Sequence, residues 1–358
     1  RIAPFVTPGT VLASNTSGLS INGLAEALPA PLRPNFCGIH FFNPPRYMPL
    51  VEIIATRDSA PAMLDGLETW LTTRLGKGVV RALDTPNFVA NRIGVFSILA
   101  VMHHTAAFGL GFDTADALTG PKIGRPRSAT YRTGDVVGLD TLAHVVNTMR
   151  DTLPSDPWHT FFRAPAWLDG LIARGALGQK TKAGIYRKQG KAIEVFDPAA
   201  GDYRASDDSL SADVAAILKL ADPAARLKAL RESGDAQAQF LWAIFRDLFH
   251  YCAVQLENVA DNARDVDLAL RWGFGWAQGP FELWQAAGWA ETAQAIAADI
   301  ASRHGGHLDL LDGAHGDLGT DMLDQQLSVQ MSGLPGGLSE TIARQLAQAM
   351  GVEPAAAS

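Results

Sequence analysis

Short apolar runs alternate with one amphipathic stretch through the first third of the chain. Thr10-Val-Leu-Ala-Ser14 predicts a strand, bounded by Pro8-Gly9 before it and by Asn15-Thr-Ser-Gly18 after it. A short helix is predicted over Ile21 to Leu28, then strands over Phe36 to Phe42 and Leu50 to Ile54. Met63, Leu67, Trp70, Leu71 and Arg74 mark a helix with one apolar face, stopped by Gly76. Gly78 to Leu83 predicts a fourth strand. Near-continuous apolar strands in strand–helix–strand order predict a parallel α/β sheet buried on both faces. Ligands of such sheets sit outside the carboxyl ends of the strands. Ser14-Asn-Thr-Ser17 and His40 fall at two of those ends.

Past Asp84-Thr-Pro-Asn-Phe88 the period lengthens to that of helices. Asn91 to Phe108 is strongly apolar, and breaks follow at Gly120-Pro121 and Gly124-Arg-Pro126. Gly178-Gln-Lys180-Thr-Lys-Ala-Gly184-Ile-Tyr186 closes this unit, and an Asp-rich stretch from Asp197 to Asp208 reads as a linker. A weak internal repeat pairs Ala115-Asp116-Ala-Leu118 with Val266-Asp267-Leu-Ala269, and Asp135-Val-Val-Gly138 with Gln285-Ala-Ala-Gly288. The constant offset of about 150 residues predicts one duplicated helical unit rather than a solenoid. The fold class expected is α/β followed by all-α. Its segments are 1–85, 86–190, a linker over 191–208, a second helical repeat over 209–300 and a tail over 301–358. The tail carries His304, His307, Asp309, Asp312, His315 and Asp317 among glycines. Their spacing fits no standard ligand pattern, so a solvated loop is expected and no metal. Two short amphipathic helices are expected after it, over 322–327 and 338–350.

A length of 358 residues allows two or three domains with real cores. The net charge of -7 argues against nucleic acid or an anionic membrane as the main partner. No apolar run approaches the ~18–20 residues of a membrane span, and no signal peptide is recognisable. Cys37 and Cys252 lie far apart in apolar runs, which suits two buried thiols in a reducing compartment, and a cytoplasmic location is expected.

The run Gly38-Ile-His-Phe-Phe-Asn-Pro-Pro-Arg-Tyr-Met-Pro-Leu-Val-Glu52 carries the candidate chemistry. His40 ends one strand and Glu52 lies within the next. A carboxylate behind an imidazole fixes its tautomer and equips it to take a proton near neutral pH. Phe41, Phe42 and Pro44 would make a partly dry surround. A lone histidine at a strand end is more often only a satisfied core residue, and Glu52 is what weighs against that. Ser17 and Asn15 suit either turn chemistry or hydrogen bonding to a substrate oxygen or cofactor amide. Asn91, in Phe88-Val-Ala-Asn91, suits either a helix cap or a buried amide, and Asn43 suits a turn before Pro44. His103-His104 reads as packing. No serine sits in a Gly-x-Ser-x-Gly elbow. No Gly-x-Gly-x-x-Gly occurs, and Gly109-Leu-Gly111 has Thr114 at the third position.

Taken together these words resemble the 3-hydroxyacyl-CoA dehydrogenase family over roughly Arg1 to Ile300. The likeness rests on Ser14-Asn-Thr-Ser17, Gly38-Ile-His40-Phe-Phe-Asn43-Pro, Met48-Pro-Leu-Val-Glu52, Asp84-Thr-Pro and Asn91-Arg92. It also rests on Asp135-Val-Val-Gly-Leu-Asp140, Gly178-Gln-Lys180-Thr and Gly279-Pro-Phe-Glu-Leu283. It implies a Rossmann-type NAD domain followed by helical domains that pair or duplicate. It implies NAD-dependent oxidation of a 3-hydroxyacyl-CoA to a 3-oxoacyl-CoA in fatty-acid β-oxidation. His40 corresponds to the catalytic base and Glu52 to its partner. Ser17 and Asn91 correspond to polar residues beside the substrate, and Asn43 and Lys180, with Asn15 and Ser17, to cofactor contacts. A homodimer, or pairing of the helical repeats within one chain, is implied, as is a fused or separate enoyl-CoA hydratase domain.

The sequence departs from the family pattern in several places. The chain opens in mid-domain at Arg1-Ile-Ala-Pro-Phe5 without the Gly-rich pyrophosphate loop, so a fragment of a longer enzyme, inactive alone, is expected. The alternative is a non-catalytic CoA-binding or structural fragment that lost its nucleotide half. Asn87 stands where the family often has Gly, and Lys182 and Ile185 replace the usual Gly and Phe. Met322-Leu-Asp-Gln-Gln-Leu327 and Gly336-Gly-Leu-Ser to Gln345-Leu346 faintly resemble the flagellar rod-binding family.

Overall fold

The computed structural model describes residues 3–7 and 9–303. The tail histidines and aspartates, the two expected tail helices and the rod-binding words lie outside the described residues. Contacts divide the chain into two compact units, each discontinuous in sequence. Among the described residues, one comprises those up to Gly94 and Val254–Phe281, the other Val95–Ala253 and Glu282 to Arg303.

The first unit is built on a four-stranded sheet, β1 (Leu12–Ser14), β2 (Phe36–Phe41), β3 (Leu50–Ile54) and β4 (Gly78–Ala82), in that spatial order. β1 and β2 run parallel, as do β3 and β4. β2 and β3 are antiparallel, which corrects the expectation of an all-parallel sheet. The cause is connection length. A parallel crossover needs about a dozen residues or more, and Phe42–Pro49 is too short for one. The antiparallel register sets His40 directly opposite Glu52.

Strand alternation then sorts the two faces. Cys37, Val51 and Ile53 pack against Leu64 and Leu71 of α2 (Pro61–Leu75), with Phe41 partly buried on the same cluster. Trp70, expected on the apolar face of α2, is 51% exposed. It falls about 100° around the helix from Leu71, off the face that Leu64 and Leu71 define. Gly76 closes α2 in the left-handed region at φ 65, as the sequence predicts. On the opposite face Gly38 lies so close to Ile21 of α1 (Ile21–Glu26) that a Cβ would stand 2.9 Å from its side chain. Asp84, just past β4, accepts hydrogen bonds from the Ser20 hydroxyl, the Ile21 and Asn22 N–H groups and the Asn22 side chain. That carboxylate ties the start of α1 to the end of the sheet. α3 (Ala90–Ala107) and α10 (Ala236–Val259) each contribute residues to both units, and α11 (Ala263–Gly273) lies in the first.

The second unit holds α4 (Phe112–Thr119), α5 (Tyr131–Val137), α6 (Leu139–Thr152), α7 (Ala166–Ala173), α8 (Ala212–Ile217), α9 (Pro223–Glu232), α12 (Pro280–Ala286) in its larger part, and α13 (Trp289–Arg303). The ring of Phe96 stacks on Tyr251 at 3.7 Å in its core. His103 is exposed and His104 buried, with His104 Nε2 2.6 Å from Asp247 Oδ2. Asp247 is held in turn by Arg246.

The stretch read as a linker folds instead. β5 (Tyr186–Gln189), β6 (Ala192–Asp197) and β7 (Asp202–Ala205) form an antiparallel meander whose turns carry left-handed Gly190 and Gly201. Its aspartates mark turns and ion pairs rather than solvated chain. Asp197 accepts the Ala199 N–H within a turn, and Asp113 of α4 is clamped by Arg204.

One local arrangement occurs twice. Asp116 of α4 accepts the Thr130, Tyr131 and Arg132 N–H groups at the start of α5. Asp267 of α11 accepts the Phe281 N–H at the start of α12. These are the aspartates that the sequence repeat aligns.

Candidate active site

His40 sits near the end of β2, and the pleat turns its side chain to the same face as Glu52 on β3. Its Nδ1 lies 2.7 Å from Glu52 Oε2. Its Nε2 lies 3.0 Å from the Ser17 hydroxyl, in the exposed turn after β1. His40 is 4% exposed and Glu52 is fully buried. The other carboxylate oxygen, Oε1, accepts the Val89 and Ala90 N–H groups at 3.1 and 2.8 Å, where α3 begins.

This network fixes the proton inventory. Glu52 is surrounded by donors, so the group facing Oε2 is Nδ1–H. The lone pair of the imidazole is thereby left on Nε2, pointing toward the exposed Ser17. Two N–H groups at the start of α3 face one oxygen of Glu52 and Nδ1–H faces the other, an arrangement in which a carboxylate can stabilise an imidazolium once Nε2 has taken a proton.

The walls are aromatic. The Phe42 ring meets the imidazole edge-on at 4.7 Å, and the Phe88 ring lies at 5.4 Å. Phe41, expected beside them, points to the other face of the sheet. Behind this shell Gly273 of α11 approaches Leu50, Ala90 and Phe42 so closely that a Cβ would stand 2.7 Å from Leu50 and 3.4 Å from each of the others. The contribution of Phe88 and of the Val89 and Ala90 amides is not readable in the sequence. Backbone donors carry no residue signature, and the run Phe88-Val-Ala-Asn91 pointed only to a helix cap or a buried amide at Asn91.

The remaining sequence-predicted residues fall as follows. Asn15 Oδ1 accepts the Phe41 N–H at 3.0 Å, which pins the Ser17 turn to the end of β2. Asn91 is half-buried in the first turn of α3, and its side chain makes no hydrogen bond among the described residues. Asn43 is exposed just beyond β2. Lys180 belongs to the second unit, where its ammonium is held by Asp140 at 2.5 Å. That hydrogen bond lowers the Asp140 carboxyl from its ordinary value. Lys182, beside it, adopts φ 62, the left-handed conformation that suits the glycine it replaces.

Comparison with known proteins supplies an independent finding. The model of the 3-hydroxyacyl-CoA dehydrogenase NAD binding domain matches residues 1–85, and that of the same enzymes' C-terminal domain matches residues 88–188. A model described as Rod binding protein matches residues 305–345. A Bacillus subtilis (strain 168) protein named "Probable 3-hydroxyacyl-CoA dehydrogenase" is 39% identical over 304 residues, which are 85% of this chain and 38% of that protein. A Rickettsia prowazekii (strain Madrid E) protein, provisionally named a fatty acid oxidation complex trifunctional enzyme, is 30% identical over 288 residues, 79% of this chain and 38% of its own. The chain thus spans well under half the length of either relative. The crystal structure of 3-hydroxybutyryl-CoA dehydrogenase from Escherichia coli K12 superimposes with a TM-score of 0.65. It covers 92% of this chain and 78% of its own at 20% identity, a likeness of fold alone.

Proposed function

Because the chain belongs to the 3-hydroxyacyl-CoA dehydrogenase family, we propose that it takes part in oxidising the 3-hydroxyl of an acyl-CoA to a 3-oxo group with NAD, His40 serving as general base. The observation that carries this reading is the chain of contacts from Ser17 through His40 to Glu52. NAD, when bound, supplies a two-electron acceptor for the hydrogen on C3. The chain's own residues place the alcohol and move its proton. His40 Nε2 takes the proton from the 3-hydroxyl as the C3–O bond becomes a carbonyl. Glu52 stabilises the resulting imidazolium through Nδ1–H. Ser17 and Asn91 donate to the substrate oxygen and the acyl thioester, and the uncommitted side chain of Asn91 is available for that.

The donor set at the carboxyl ends of β1 and β2 fits a nicotinamide. Ser17, Asn15 and Asn43 are exposed there and carry a hydroxyl and two carboxamides, the groups that hydrogen-bond another carboxamide. Phe42 and Phe88 keep bulk water from the proton-accepting ring. The reaction belongs to fatty-acid β-oxidation, where an enoyl-CoA hydratase makes the 3-hydroxyacyl-CoA that this site would consume. That enzyme, fused or separate, and a second copy of this chain are the proposed partners. No helix among the described residues is long and apolar enough to cross a membrane.

The test is a spectrophotometric assay of NADH formation on the protein at its natural length, with short and long 3-hydroxyacyl-CoA substrates. Turnover dependent on both NAD and the acyl-CoA is expected. Binding of a CoA derivative with no NADH produced would contradict the reading.

A further inference from the structure

The segment joining β4 to α3 holds two consecutive residues in a conformation that L side chains seldom adopt. Asn87 has φ 65 and Phe88 has φ 50, and neither is glycine. Both are buried, at 3% and 1% exposure, and the Asn87 side-chain Nδ2 has no hydrogen-bond partner. A left-handed phenylalanine and an orphaned buried amide are each unfavourable, so the surrounding structure must impose them. Within the first unit it does. Leu83 N–H is bonded to Val259, Thr85 N–H to Leu83, Phe88 N–H to Thr85, and Arg92 N–H to Asn87. The Asp84 carboxylate at the start of the segment is fixed by four donors from α1 and its cap.

What the strained turn accomplishes is visible at its exit. The chain leaves Phe88 with the next two N–H groups aimed at Glu52 Oε1, and with the Phe88 ring against the imidazole of His40. Phe88, Val89 and Ala90 between them therefore contact both members of the proton-transfer pair. An ordinary helix start would leave these N–H groups to solvent or to a capping side chain. Here they are spent on the carboxylate that orients the base.

We propose that Asn87 and Phe88 are positioning residues, and that their left-handed turn sets the distance and rotation of the Glu52–His40 pair at the expense of local stability. The proposal rests on the oxidation assigned above and adds residues that no sequence motif here marks as chemical. It predicts a split between kcat and KM. Asn87→Gly, the residue the family often has here, accepts φ 65 without strain, so kcat and melting temperature should stay close to those of the parent. Asn87→Val has a branched side chain that resists φ 65, so kcat should fall about tenfold while KM for the acyl-CoA stays within about twofold. Phe88→Leu keeps an apolar group but not the ring, and should also lower kcat more than it changes KM.

The experiment measures kcat, KM and melting temperature for the natural-length protein, these three variants and His40→Gln side by side. A fall in kcat for Asn87→Val and Phe88→Leu at nearly constant KM, with Asn87→Gly close to the parent, would support the proposal, since a merely structural turn would lower the melting temperature without splitting kcat from KM. Unchanged kcat in Asn87→Val and Phe88→Leu, with His40→Gln inactive, would overturn the proposal and leave the catalytic reading standing. An unchanged rate in His40→Gln would overturn that reading itself.

Discussion

Glu52 has more demands on it than any other side chain of the site. It is fully buried, and it accepts from two backbone amides at one oxygen and from the His40 ring at the other. A carboxylate can accept at both ends, but a carboxamide cannot. In Glu52→Gln the amide oxygen must face Val89 and Ala90, so the NH2 group faces Nδ1. That forces the ring proton onto Nε2, the atom proposed to receive the substrate's proton. Turnover should therefore fall by about 10²–10⁴ while the fold survives. Steady-state kinetics with circular dichroism checks both halves of the statement, and a rate within a few fold of the parent would contradict it. Legibility at this scale was uneven. His40 and Glu52 stand out because an imidazole and a carboxylate interrupt two apolar runs. Phe88 and the two amides do not, because a ring in an apolar stretch looks like core and a peptide N–H has no letter. Lys180 shows the reverse difficulty, since its sequence word says nothing of the Asp140 that holds its ammonium.

Among the elements, capping aspartates do much of the positioning. Burial acts to raise the Asp84 carboxyl, but bonds from the Asn22 and Ile21 amides and the Ser20 and Asn22 side chains outweigh it and hold it below its ordinary 3.8. A depressed carboxylate stabilises the fold above the unfolded value, and the benefit is lost as pH falls through the folded one. Thermal melts from neutral pH to below 3.8 should show the parent losing stability on acidification. Asp84→Asn should start lower and fall less, and parallel curves would contradict the assignment. Asp116 differs in sign. Burial pushes it up to about 6 against the bonds it accepts from Tyr131, Tyr186, Arg132 and Thr130. A raised carboxyl favours the protonated fold, so its contribution declines as pH rises from about 4 toward 6. Asp116→Ala would orphan buried donors at the start of α5 and should cost about 3 kcal/mol in urea unfolding, reckoned at about 1–3 kcal/mol per stranded group. A loss under about 1 kcal/mol would show that those groups find other partners. The four strands of the first unit were readable from apolar spacing, and both ends of each fall within two residues of those expected. The meander over β5–β7 was not, because its strands are short and only partly buried and its aspartates resemble those of a solvated linker.

At the scale of the whole molecule, the α/β region followed by helices was legible, and the direction of one strand was not. In the four-stranded sheet the antiparallel pairing of β2 with β3 matters most for the site, because its register sets His40 across from Glu52. A run of apolar residues does not encode strand direction. The length of the connection does, and Phe42–Pro49 is short. The discontinuous make-up of the first unit was also hidden, since Val254–Phe281 joins it only through contacts made far from it in sequence. All of this organisation converges on an imidazole whose outer nitrogen faces the Ser17 hydroxyl and is the proposed proton acceptor. The most direct test is therefore NADH formation by His40→Gln beside the parent, at saturating NAD and a short 3-hydroxyacyl-CoA, in the protein at its natural length. A fall in kcat of about 10²–10⁴ with little change in KM is predicted. A variant that turns over at the parental rate would contradict the account.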